Sequence, residues 1–318
     1  MNSILGIVRG KGEVADTLYC TDLKPIFFKD FCTINFVFNI AKIEKIKKIR
    51  FISFDNIKNM KQEEAERFLD QYDLVVQYSN KVENSQNYIS KNKERFVFIE
   101  APVIFRNVNK SSISQKYLRI MHGDELGRNF IKKYNRNLIR SDFQFPLFEK
   151  KIMNKTEKKG GSILLINQIT NDSAIIPVDP YIWANNAVKE IRKYSDNKII
   201  FRDHPLQLKK YLEGREKLIN YENLYLSDND KIEDDLLQTK CCVTFSSGSA
   251  IECLFAQIPV IATDKRSFVY EIVENEISNI NKLKVPNLSP LKSALSFTHY
   301  SLNEILDGTC WRNIKSFI

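Results

Sequence analysis

Two short segments in the second half of the chain carry residue types that suit an anionic ligand. The first is IIFRDHPL, residues 199–206, in which an apolar run leads into Arg202, Asp203, His204 and Pro205. Arginine and histidine both donate hydrogen bonds to anionic oxygens, so Arg202 and His204 together suit a phosphate. Pro205 has a fixed φ and no N–H, which stops a strand and sets the exit of the chain. The alternative is that His204 only caps a strand end. The second segment is CCVTFSSGSAIECLFAQIPVIATD, residues 241–264. Here an apolar run ending at Phe245 opens into Ser246, Ser247, Gly248 and Ser249, and a helical pattern begins at once. Small residues let a ligand approach the backbone, and a helix start offers free N–H groups with a positive dipole end. Glu252 lies three residues after Ser249, the spacing of a capping box. The same carboxylate is placed to bond sugar hydroxyls. Gln168, which closes the run SILLINQ, joins this candidate binding set.

These residues need strands to hold them. Apolar, β-rich runs occur at 31–40, 48–54, 73–79 and 95–102, with helical material at 59–72. The polar, lysine-rich stretch FEKKIMNKTEKKGG, residues 148–161, reads as a linker. After it, strands are expected at 162–168, 197–205, 223–228, 241–249 and 259–264. Helices are expected at 230–240, at 250–257 and from Tyr181 to Tyr194, the last with Trp183, Ala187, Val188 and Ile191 on one face. Strand, helix, strand at this spacing means βαβ units and parallel sheets. Ligands of open α/β sheets sit outside the carboxyl ends of the strands, where His204 and the Ser246–Ser249 stretch fall. The expected fold is α/β: two doubly wound Rossmann-like lobes, 1–155 and 156–318, with a cleft between them. The last helices are free to pack back on the first lobe.

Composition narrows the classes. The chain has 318 residues, 43% hydrophobic and 11% aromatic, which excludes disorder over its length. No apolar run approaches the length of a membrane-spanning helix, and the first residues lack the pattern of a signal peptide. Lys and Arg number 48 against 39 Asp and Glu, a formal charge of +9. That surplus favours a phosphate-bearing partner or an anionic surface, although an AT-rich genome also yields many lysines. The six cysteines, at 20, 32, 241, 242, 253 and 310, form no CxxC pair and read as reduced core residues of a cytoplasmic protein. A dinucleotide-binding dehydrogenase is disfavoured because no GxGxxG follows a strand.

The order strand–HP, then strand–SSGS–helix–QIPV–strand, resembles the C-terminal donor lobe of GT-B glycosyltransferases. It is most similar to the bacterial sialyltransferase and Kdo-transferase groups of capsule and lipopolysaccharide synthesis. The resemblance covers roughly 160–275. It implies that His204-Pro205 and Ser246-Ser247 bind the nucleotide of a CMP-sugar, and that Glu252 contacts a ribose or sugar. Gln257 stands where a glycine often precedes the Pro-Val strand, which leaves the nucleotide, CMP or UDP, open. The segments 99–106 and 117–130 resemble small glycosyltransferase-like proteins of phages and bacteria. The implied activity moves a sugar from a nucleotide-sugar donor to an acceptor hydroxyl of a bacterial surface glycan. No permanently bound cofactor is implied, and no DxD motif for a metal follows a strand.

Transfer also needs a group that takes the acceptor proton. The resemblance places it in the N-terminal lobe. Glu100 ends the run RFVFIE, and His122, Asp124 and Glu125 form a dense titratable cluster whose glycines, Gly123 and Gly127, allow tight turns. Arg106, Arg119 and Arg128 add positive charge that could meet donor phosphates, an anionic acceptor or solvent. Three other readings stay open. One is a phage-type glycosyltransferase acting on hydroxymethylated DNA, towards which the charge leans. The others are a UDP-sugar epimerase and a non-catalytic sugar-nucleotide binding module.

Overall fold

In the computed structural model the apolar runs form two sheets, and one run expected as a strand forms a helix instead. The structure describes residues 1–8, 28–78, 86–104, 117–123, 126–143, 161–170, 172–205 and 217–318. The linker stretch, apart from Gly161, lies outside them, and so does the expected 155/156 boundary. The described chain divides into two units: Met1–Glu125 together with Leu295–Ile318, and Leu126–Ala294.

The first unit runs β1 (Ser3–Val8), α1 (Phe28–Glu44), β2 (Lys48–Ser53), α2 (Phe54–Asn59), α3 (Gln62–Leu69), β3 (Leu74–Tyr78), α4 (Gln86–Lys91), β4 (Phe96–Glu100) and β5 (Tyr117–His122). The second runs α5 (Phe130–Tyr134), β6 (Ser162–Ile166), α6 (Pro180–Arg192), β7 (Ile199–Arg202), β8 (Leu224–Leu226), α7 (Ile232–Leu236), β9 (Thr239–Thr244), α8 (Ser249–Phe255) and β10 (Val260–Ala262). Helix α9 (Ser289–Ser296) then leads to β11 (His299–Ser301), α10 (Leu302–Leu306) and α11 (Thr309–Ile314), which return to the first unit.

The first sheet has the order β11-β5-β4-β3-β1-β2. Strands β2, β1, β3 and β4 are parallel, whereas β5 runs antiparallel to both β4 and β11. Successive strand residues face opposite sides. Val76, Val97 and Ile99 therefore join one core with α1, α10 and α11, while Val75, Phe96 and Phe98 join another with α3 and α4. The α/β class holds, with an antiparallel margin added to the parallel sheet.

The strand expected over 31–40 is part of α1. Thr33, Ile34, Val37 and Ile40 favour strands locally, but Cys32, Thr33, Phe36, Val37 and Ile40 are all fully buried. A helix covered on most sides has no polar stripe, so its period is hidden in the sequence. Tertiary burial then overrides the local preference. Phe36 meets Trp311 of α11 edge to face at 6.2 Å, and Trp311 Nε1 donates to Glu44 at 2.8 Å.

The second sheet, β10-β9-β6-β7-β8, is parallel throughout. Helix α6 starts where Asp179 Oδ1 accepts from the Tyr181 and Ile182 N–H groups, with Pro180 in its first turn. This is an N-cap followed by a proline that needs no partner. Its face of Trp183, Ala187, Val188 and Ile191 packs on Ile163, Leu165, Phe201 and Val243. The fully buried alternates Leu164 and Cys242 belong to the other face of the sheet, where the Cys242 thiol bonds Cys253 of α8. Cys32, Cys241, Cys242, Cys253 and Cys310 are free and buried. Burial pushes the Cys241 thiol up to about 11 and the Cys242 thiol well above its usual value, so these two stay protonated.

Candidate functional site

In the second unit the chain leaves β6 towards β7 and β8, then returns to the other side of β6 as β9 and β10. The carboxyl ends of β6 and β9 therefore flank a topological switch point, where open α/β sheets hold ligands. Asn167 and Gln168 follow β6, and Phe245 to Ser249 follow β9.

The loop after β9 is set by its own hydroxyls. Thr244 Oγ1 donates to Ile166 O at 3.1 Å and accepts from Ser247 N at 3.3 Å. Ser246 is buried; its Oγ donates to Ala174 O at 2.7 Å and lies 3.1 Å from Gln168 Oε1. Ser247, Gly248 and Ser249 are half-buried. The capping box expected at Ser249 and Glu252 is absent: Gly248 occupies the N-cap position and no side chain caps α8. Instead Ser247 Oγ accepts from the Ser249 N–H at 3.3 Å. A serine one turn earlier satisfies the backbone locally, which leaves Glu252 outside the capping role. Glu252 is half-buried on α8.

Beside β6, the end of β7 holds a buried carboxylate. Asp203 accepts from Asn167 Nδ2 at 2.9 Å and from the Tyr181 hydroxyl at 3.1 Å. His204 is half-buried next to it and Pro205 is exposed. Arg202 is turned elsewhere. Its guanidinium donates to Asp235 Oδ2 at 2.6 Å and to the carbonyls of Asn229 and Asp230, so it serves the loop after β8 and helix α7.

On the other side, Asp264 follows β10. Burial pushes its carboxyl up, but hydrogen bonds from the Arg266 side chain and backbone, with the charges of Arg266 and Arg128, hold it below the usual range. Arg266 grips Asp264 through Nε and Nη2 at 2.7 and 3.0 Å and lies 4.9 Å over the Phe245 ring. Thus Arg128, read from the sequence with the acceptor lobe, stands in the second unit. Gly123 takes φ +87°, the left-handed region that suits a turn. Gly127 serves a close approach instead: a Cβ there would meet Phe268 N at 2.5 Å and Arg266 O at 2.6 Å.

In the first unit, Glu100 closes β4 half-buried and pairs in register with Arg119, which is buried. His122 pairs with Val97, so it lies at the opposite end of the same strand pair. It is buried, with Nε2 2.6 Å from Glu94 O. Glu100 and His122 therefore do not share a site. Asp124, Glu125 and Arg106 lie outside the described residues.

The structure thus brings Gln168, Ser246, Ser247, Gly248 and Ser249 together, with His204 one strand away. Sequence reading passed over Asn167, Tyr181, Asp203 and Asp264. A polar residue directly after a buried parallel strand was the available signal for Asn167 and Asp203, since such positions ring the ligand end of the sheet. Among the described residues no group of three or more His, Cys, Asp or Glu is placed to hold a metal ion. No described helix is long and apolar enough to cross a membrane.

No protein-family model and no curated protein matches this sequence. Among solved structures, the chain is similar to the KpsC beta Kdo 2,7 transferase of Thermosulfurimonas dismutans, with TM-score 0.49 and 14% identity over 99% of each chain. It is similar to the KpsC beta Kdo 2,4 transferase of that organism, with TM-score 0.49 and 10% identity over 96% of this chain and 98% of that one. A UDP-GlcNAc 2-epimerase of Methanocaldococcus jannaschii, in complex with UDP-GlcNAc and UDP, gives TM-score 0.32 and 15% identity over 92% and 97%.

Proposed function

We propose that the second unit binds the nucleotide of a nucleotide-sugar, CMP- or UDP-linked, and that the protein is a glycosyltransferase acting without a metal. The observation that carries this reading is the half-buried Ser247-Gly248-Ser249 turn at the switch point of a fully parallel sheet. Phosphate oxygens are acceptors, and a turn of small residues opening a helix presents backbone N–H groups to them. His204, one strand across, adds a second donor. Glu252 supplies a carboxylate for ribose or sugar hydroxyls.

Transfer breaks the bond between the sugar and the nucleotide phosphate and forms one to the acceptor oxygen. The nucleotide leaves with its charge held by the Ser247 and Ser249 hydroxyls, the Gly248 N–H and His204. The acceptor hydroxyl loses its proton to a carboxylate, for which Glu100 is the described candidate at a carboxyl strand end. The acceptor is taken as a surface glycan.

A thermal-shift series with CMP, UDP, GDP and their sugars tests the binding. A ligand at about 100 times its Kd should stabilise by roughly 2.7 kcal/mol. His204→Ala and Ser247→Ala should each weaken nucleotide binding by about 1–3 kcal/mol while folding is kept. Glu100→Gln should lower transfer by roughly 10²–10⁴ with donor affinity nearly unchanged. A duplex of hydroxymethylated DNA in place of the glycan acceptor checks the competing acceptor, whose use would be steeply salt-dependent. No shift with any nucleotide would sink the reading.

A further inference from the structure

Asn167 is 1% exposed and sits at the carboxyl end of the central strand β6. Its backbone N–H donates to Arg202 O at 2.9 Å. Its side-chain Nδ2 donates to Asp203 Oδ1 at 2.9 Å. An ionised carboxylate can only accept, so this contact fixes which end of the amide faces β7. Oδ1 is then carried to the other end of the amide, away from Asp203. Among the described residues nothing donates to it. A buried acceptor without a partner is costly, and such groups in folded proteins mark an uncounted ligand or water.

We propose that Asn167 Oδ1 accepts a hydrogen bond from the nucleoside part of the bound nucleotide. This rests on the nucleotide-binding reading of the second unit. Phosphate oxygens at neutral pH offer no proton, so the partner cannot be the phosphate. The groups of a nucleoside that qualify are a base N–H, N4 of cytosine or N3 of uracil, and a ribose hydroxyl. Uracil O4 does not qualify, because two acceptors would face each other. The site then has two chemically distinct sides. The serine turn after β9 takes the anion, and Asn167 after β6 takes a neutral donor. Asp203 acts as a positioning residue, since it holds the amide in the orientation that presents Oδ1.

Calorimetric titration of the whole chain with CMP, UMP, 2′-deoxy-CMP and 3′-deoxy-CMP tests this. One deletion of a ligand donor, of the amine or of a hydroxyl, should weaken binding about three- to tenfold in the wild type. The identity of the sensitive deletion tells the amine from the ribose. Asn167→Ala, or Asn167→Ser if the first fails to fold, should erase that difference. Tyr181→Phe also takes a hydrogen bond from Asp203 but keeps Oδ1, so it should preserve the ratio between ligands. Equal affinity for all four ligands in the wild type, unchanged in the Asn167 variant, overturns the proposal and leaves Oδ1 with a bound water only. So does a ligand difference that survives loss of the Asn167 amide. Failure of every nucleotide to bind overturns the underlying reading of the unit as well, a result distinct from binding without this coupling.

Discussion

Arg202 donates to Asp235 Oδ2 across 2.6 Å, with the arginine side chain 10% exposed and the aspartate 1%. Ser227 Oγ and Asn229 Nδ2 donate to the same carboxylate at 2.7 and 2.8 Å. The pair fixes the end of β7 to the last part of α7. Both charges are nearly out of water, so either one alone is unfavourable. Arg202→Leu should destabilise the second unit by about 3–5 kcal/mol, and adding Asp235→Leu should recover much of it. Urea unfolding of the single and double variants measures this. A folded Arg202→Leu protein with normal stability and lost nucleotide binding would return Arg202 to the ligand.

Gly127 lies against the backbone of Arg266 to Phe268, and its N–H donates to Arg266 O at 3.0 Å. Backbone atoms cannot turn aside as a flexible side chain can. Gly127→Ala should therefore cost about 1–3 kcal/mol through overpacking. It should also loosen the contact of Phe130 with Phe268, whose rings meet at 5.0 Å. A melting temperature equal to that of the wild type would contradict this.

Gln257 follows α8 at φ +59°. Helices commonly end on such a left-handed residue, and glycine adopts it without a Cβ penalty. Gln257→Gly should raise stability by about 0.5–1 kcal/mol, read from the urea midpoint. The residue that departs from the glycine of the resembling families thus sits where a glycine would relieve strain.

The lowered carboxyl of Asp264 carries a pH signature. A group held below its ordinary value of 3.8 stabilises the fold above that pH and loses the contribution as pH falls through its lowered value. Wild type should therefore exceed Asp264→Asn in stability near pH 6, with the gap closing below about pH 4. Paired melting curves across that range decide it. A gap that widens on acidification would mean that Asp264 is not stabilised in its charged form.

Much of this was legible because buried parallel strands read as short apolar runs. The runs at 48–54, 73–79, 95–102, 162–168 and 197–205 became β2, β3, β4, β6 and β7. Helix α1 was not legible, since burial on most sides erased its period. Strand β1 was passed over as a short apolar start before two basic residues. The HP and serine segments announced themselves through proline, glycine and small residues, which act locally. Asn167, Asp203 and Tyr181 did not, because their meaning lies in hydrogen bonds to residues 22 and 36 positions away in sequence. Arg202 misled for the same reason: its partner lies 33 residues downstream in a stretch that reads as a short amphipathic helix.

The first unit is sewn from both ends of the chain. Strand β11 extends its sheet beside β5, and Trp311 closes over Phe36. Synthesis in chain order thus delivers every residue of Leu126–Ala294 before it delivers β11, α10 and α11 of the unit that began earlier. The nascent chain must carry the apolar flank of α1 uncovered through all of that synthesis. Domains ordinarily settle in the order in which they are made; here the later-starting unit is the first to have all its parts, and the earlier-starting one is completed by Leu295–Ile318.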